Sequence, residues 1–172
     1  MSKKPALAPQ AASLGAGSER VGAGKLDADF ELIELLFFAY RDFVGEPDRL
    51  LAVHGFGRAH HRVLHFVNRH QGLTVAELLE ILEITKQSLA RVLKDLINAG
   101  FIEQRAGDED RRQRRLYLTA QGEVLAYALA GMQGQRMARA LAEAGAADRP
   151  VIKRFLEALI DPERRATALA KA

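Results

Sequence analysis

The sequence predicts a mainly α fold carrying one small β-hairpin. Three observations predict it. Several stretches repeat apolar residues at helical spacing, and most are opened by a Thr or Asp and closed by Gly or Pro. Two short runs have the length of strands, Phe101–Arg105 and Arg114–Leu118, and the second alternates Leu116 and Leu118 with Arg115 and Tyr117. Between them lies AGDEDRRQR, a Gly-containing, densely charged segment suited to an exposed hairpin tip.

The chain has 172 residues, about one domain's worth by the usual prior, with 48% apolar and 27% charged residues. That is enough apolar material for a core. No apolar run approaches the ~18 residues a membrane span needs, and MSKKPALAPQ has a basic end without the apolar core of a secretion signal. Neither membrane association nor export is expected. The absence of Cys excludes disulfides, cysteine catalysis and thiolate metal sites, and fits a cytoplasmic location. A net charge of +3 and a pI near 9.4 suit a polyanionic partner without requiring one.

Residues 1–26 are Ala, Gly, Ser, Pro and Lys with almost no large apolar side chain, so a disordered arm is expected there. Its Lys3, Lys4, Arg20 and Lys25 are either solvated or lie along a polyanion. Asp27 or Asp29 is placed to cap a first helix. Phe30, Ile33, Phe37, Tyr40 and Val44 form one face of it, while Leu32, Leu35, Leu36 and Phe43 make much of the rest apolar. Such a helix has two things to bury against: its own domain and a second copy, or else the interior of a monomer. Gly45 and Pro47 are expected to end it. After a loop or short helix, RAHHRVLHFVNRHQG supplies a helix with Val63, Leu64 and Val67 inward.

TVAE is a capping box: the Thr74 hydroxyl takes the N–H three residues on, and Glu77 reaches back. A compact helix follows, then a second capped by Thr85. Leu89, Val92, Leu93, Leu96 and Ile97 make the apolar stripe of the second, and Gly100 suits its left-handed end. Thr119 caps a long helix from about Ala120, which Gly131 and Gly134 are expected to weaken and bend. Asp148 and Pro150 open a last helix with Val151, Ile152, Phe155, Leu156, Leu159 and Ile160 on one face. Pro162 closes it, leaving 162–172 as a frayed tail.

Two short helices joined by a tight turn, the second exposing polar residues near its start, form a helix-turn-helix pattern. A helix fits the major groove of B-DNA, where each base pair shows its own donors and acceptors. Gln87 suits adenine, Arg91 suits guanine, and Ser88 serves as donor or acceptor. Thr85 and Lys86 sit where a helix N-terminus favours phosphate, and Lys94 is better placed for backbone. At the hairpin tip, Arg111 or Arg112 suits a narrow minor groove, and Asp110 can brace an arginine. Arg114 and Arg115 point to opposite faces of one strand, so at most one shares that task. An ordinary charged surface is the plain alternative.

The capped helix, ITKQSLARVLKDLINAGFIEQR, the D-R-R tip and the following LTAQG resemble the winged helix-turn-helix of the MarR family of bacterial transcription regulators. Asp110, Arg111, Arg112, Leu118, Thr119 and Gly122 fill the places of the family's wing signature, an acid and arginines followed by Leu-Thr-x-x-Gly. The similarity runs from about Phe30 to Asp161. Departures are the N-terminal arm, Glu109 in the wing and Arg115 near the strand, which leave the DNA sequence preference open. The resemblance implies a winged helix-turn-helix domain over 27–161, with a DNA-binding lobe at about 58–119 and dimerisation helices at about 29–45 and 120–161. It implies a homodimeric repressor of a pseudo-palindromic operator in double-stranded DNA, released by a small-molecule effector. The effector cavity would lie between the dimer helices and the lobe, lined by Phe37, Tyr40, Arg41, His61 and His65.

All five His lie between His54 and His70. His61 and His65 are one helical turn apart, the spacing of a metal pair, of a pH-sensitive face, or of no shared purpose. No cofactor is expected. There is no Gly-rich phosphate loop, no Ser-His-acid set at credible spacing and no paired acids of a glycosidase, so an enzyme is not expected. A winged-helix protein-interaction module, with the basic tip on an acidic partner, is the alternative function.

Overall fold

The computed structural model describes residues 23–107 and 113–171. The arm residues Lys3, Lys4 and Arg20, and the hairpin residues Asp108, Glu109, Asp110, Arg111 and Arg112, lie outside the described residues. The chain forms two compact units, one up to Phe38 and one from Ala39 onward.

Helix α1 covers Ala23–Ala52 and departs from expectation at both ends. It starts before Asp27, since extending an existing helix by a turn costs little compared with nucleating one. It also continues through Gly45 and Pro47. Val44, Pro47 and Leu51 fall on one side and are buried, Leu51 completely. Burying that side outweighs the one backbone bond that proline forfeits. In the N-terminal unit the side chains of Phe30, Leu32, Ile33, Leu35, Leu36 and Phe37 are all exposed.

The second unit holds the core. Helix α2 (Arg58–Arg69) places Val63, Leu64 and Val67 inside. Strand β1 (Leu73–Thr74) leads into α3 (Val75–Leu82), then α4 (Lys86–Asn98), strands β2 (Ile102–Ala106) and β3 (Arg114–Leu118), and α5 (Ala120–Ala144). The sheet is antiparallel with order β1-β3-β2. Leu73 pairs with Leu116, and Ile102 with Leu118, so the alternation of β3 turns Leu116 and Leu118 inward. Strand β1 is two residues long, too short to show any period in the sequence; Gly72 N–H donates to Leu116 O at 2.9 Å beside it. Leu78, Leu82, Leu89, Leu93, Leu96, Leu125 and Leu129 complete the core from α3, α4 and α5.

Each expected threonine cap is present. Thr74 accepts from Glu77 N–H at 3.2 Å while Glu77 takes Thr74 N–H at 2.8 Å. Thr119 accepts from Gly122 N–H at 3.1 Å and donates to Gly100 O at 2.6 Å. Gly100 has φ 77°, the left-handed ending that α4 was expected to need.

Helix α6 (Arg149–Ala158) follows a short 3-10 turn, Ala146–Asp148. Asp148 occupies the cap position, but its side chain makes no capping bond, because its backbone is already helical. Val151, Phe155, Leu156 and Leu159 are exposed. The expected frayed tail is instead helix α7 (Pro162–Lys171). Pro162 stands at its first position, where a missing N–H costs nothing. Arg164 and Arg165 N–H both reach Asp161 O, at 2.9 and 3.0 Å. Arg165 Nη2 donates to Ile160 O at 3.1 Å and Ala158 O at 3.3 Å, closing the end of α6. No helix among the described residues is long and apolar enough to cross a membrane.

Candidate nucleic-acid interface

Helix α4 divides cleanly along its length. Leu89, Val92, Leu93 and Leu96 are buried, whereas Thr85, Lys86, Gln87, Ser88, Arg91 and Lys94 are exposed. The first four of those exposed residues occupy the N-terminal end, where unpaired N–H groups and the helix dipole favour an anion. Thr85 is engaged locally: its hydroxyl accepts from Ser88 N–H at 3.1 Å and donates to Ser88 Oγ at 2.8 Å. Its part is therefore to start the helix at a defined residue, leaving Gln87 and Arg91 as long side chains exposed on the outer face.

The turn between α3 and α4 is held at its first residue. Glu83 closes α3 with φ 49°, and it is the one non-glycine with positive φ among the described residues. From α2, Arg62 Nη2 donates to Leu82 O at 2.9 Å and satisfies a carbonyl at that helix end.

The β2–β3 hairpin carries the remaining expected contacts. Arg114 is exposed and borders a hollow of about 330 Å³ with Gln113, Thr74, Val75 and Ala76, beside the N-terminus of α3. Arg115 turns the other way and donates to Gly72 O at 3.3 Å, so it serves the sheet. Of the two, Arg114 is the more exposed. Arg105 on β2 adds a further cation to the hairpin. It sits opposite Arg115 in the ladder, lies 4.5 Å over the Tyr117 ring and pairs with Glu103. The alternation of IEQRA, with Glu103 and Arg105 on the same outer face, is its signal in the sequence.

The structure brings together three of the five residues expected to line an effector cavity. Tyr40, His61 and His65 border a cavity of about 320 Å³ with Phe43, Arg58 and Gln133. Arg41 does not line it; it is exposed and paired with Asp42 at 2.9 Å. Phe37 is exposed and belongs to the N-terminal unit. Arg58 and Arg62 on the wall were not foreseen. As for metal, no group of three or more potential ligands occurs among the described residues.

Burial pushes the His61 pKa down, His65 adds to the effect, and Asp48 opposes it. Burial also lowers His65, helped by Arg69 and His70. Both are held below the ordinary value of 6.5, so the folded chain binds fewer protons than the unfolded one just below that pH. Stability is therefore full above about pH 6.5 and lost as pH falls towards the folded values. Urea midpoints should drop between pH 7.5 and 5.5, and His61→Gln with His65→Gln should flatten that dependence. An unchanged slope in the double variant would assign it elsewhere.

Comparison with known proteins agrees with this architecture. The MarR family pattern matches residues 54–113. The HTH-type transcriptional regulator PetP of Rhodobacter capsulatus is 49% identical over 133 residues, covering 77% of this chain and 80% of PetP. Among solved structures, a MarR family transcription regulator matches with a TM-score of 0.67 at 22% identity, covering 86% of this chain and 96% of its own. CouR, a transcriptional repressor solved bound to a 23-mer DNA duplex, matches with a TM-score of 0.62 at 19% identity, covering 82% and 99%. The structural likenesses carry the fold, and the identity to PetP carries the relationship: this chain belongs to the MarR family of winged helix-turn-helix transcription regulators.

Proposed function

We propose that the chain is a homodimeric, sequence-specific DNA-binding repressor acting in the cytoplasm on a pseudo-palindromic operator, with a small molecule as its release signal. The two-sided character of α4 carries the reading: the core takes one side, and among the described residues no ion pair or side-chain hydrogen bond engages Lys86, Gln87, Arg91 or Lys94 on the other. CouR, which shares the fold, is bound to a duplex. In this reading the lobe at about 58–119 meets DNA, with Gln87 and Arg91 on bases, Lys86, Lys94 and Arg114 on the backbone, and Asp110, Arg111 and Arg112 at the wing tip.

The helices at about 29–45 and 120–161 supply the dimer contact. Their support is apolar surface that water should not keep: Phe30, Leu32, Leu35 and Phe37 on α1, Val151 and Phe155 on α6, and Leu159 just after it. Two copies would set two α4 helices about 34 Å apart, one turn of duplex. A ligand in the cavity of Tyr40, His61 and His65 that favours another spacing would lower affinity by shifting the population.

Sedimentation and a salt series on operator fragments test this together. A dimer is expected, with log affinity falling by roughly 0.9 per neutralised phosphate for each tenfold rise in salt. A monomer that ignores duplex at low salt would end the proposal, and salt-insensitive binding to an acidic protein would favour an interaction module instead.

A further inference from the structure

A cavity of about 560 Å³ lies between α2, α3 and the corner where α6 gives way to α7. That is within the roughly 300–1,000 Å³ of ordinary small-molecule sites. Its floor is apolar, made by Phe66, Ile81, Leu82 and Ile160. Its rim is charged: Glu80, Glu83 and Glu163 face Arg62 and Arg164, an excess of one negative charge.

Arg62 donates one N–H to Leu82 O and keeps its charge. Arg164 pairs with Glu83 at 3.1 Å and with Asp161 at 3.6 Å. His65, also on the rim, has its pKa lowered, first by desolvation and then by Arg69 and His70. Among the described residues, neither Glu80 nor Glu163 has an ion-pair or hydrogen-bond partner. The rim therefore carries a net negative charge with two exposed carboxylates that no protein group pairs among the described residues, over a floor that suits a ring or branched chain.

We propose that this cavity is a ligand site for an organic cation with a compact apolar body, a protonated amine whose ammonium is met by Glu80 and Glu163. It shares Arg62, His65 and Phe66 with the cavity of Tyr40 and His61 and is set apart from it by the residues of α3 and α7 on its wall. The Arg164–Glu83 pair ties α7 to the left-handed residue that begins the α3–α4 turn. An occupant touching both α3 and α7 would hold that tie and stiffen the approach to Thr85. Its effect on operator binding rests on the DNA-reading role proposed for α4; the binding itself does not.

The test is amide hydrogen exchange on the full chain with 2-phenylethylammonium, against phenylacetate at equal ionic strength. The amine is expected to slow exchange in α7 and in residues 82–85, and phenylacetate is expected to leave both unchanged. Glu80→Gln with Glu163→Gln, two exposed changes that leave the core intact, should weaken amine binding about tenfold. No slowing in these segments with the amine, equal slowing with phenylacetate, or full affinity in the double variant would each overturn the proposal. A chain that bound the amine but no duplex would refute the repressor reading alone.

Discussion

Gly122→Ala is expected to destabilise the fold by about 3 kcal/mol or more, at the upper end of what overpacking costs. A Cβ at Gly122 would stand 2.0 Å from Phe101 O and 3.0 Å from its carbonyl carbon. Neither atom can retreat. Phe101 O accepts Thr119 N–H at 3.1 Å, and Phe101 N–H is bonded to Leu96 O at 2.9 Å. Phe101 itself is buried, with its ring against Phe56 at 5.2 Å. The glycine is required by closeness and not by backbone angle, since its φ is not in the left-handed region. For a domain with about 5–15 kcal/mol in all, the loss is a large part of the total. Urea denaturation measures it directly, and a midpoint like the parent's would show that the first turn of α5 can move away from the α4–β2 corner.

Arg91→Ala should cost roughly 1–3 kcal/mol of operator affinity and relax the preference at one base pair. Arg91 is exposed one turn beyond the N-terminal residues of α4, on the side opposite Val92 and Leu96. Arg114→Ala should behave differently, weakening all duplexes alike and reducing the salt slope by about 1. The comparison is a competition series with single-base operator variants, at more than one salt concentration. Indistinguishable profiles for the two variants would remove the division of labour assigned to helix and hairpin.

The helix-turn-helix and the hairpin were legible because their signals are local. Thr74, Thr85 and Thr119 each precede an apolar stripe by the right number of residues, and Leu116 and Leu118 alternate with polar neighbours. The errors came where tertiary burial overrode a local rule. Pro47 reads as a stop, yet α1 runs on because Pro47 and Leu51 are wanted inside. The tail after Pro162 reads as unstructured because its anchors are distant or on backbone: Glu83 lies far away in sequence, and the carbonyls of Ala158 and Ile160 carry no residue signature. The effector cavity was half legible for the same reason. Helical spacing put His61 and His65 together, but it could not show that Arg41 turns to Asp42 while Arg58 and Arg62 reach the wall.

The hydroxyl of Thr85 also fixes an azimuth. By choosing which residue begins α4, it determines where Gln87 and Arg91 point around the helix axis. A residue inserted upstream of Thr85 would lengthen a loop and leave that direction intact. The same insertion between Gln87 and Leu89 would rotate the leucine stripe by about 100° relative to Gln87, so that either the leucines or Gln87 would have to face the wrong way.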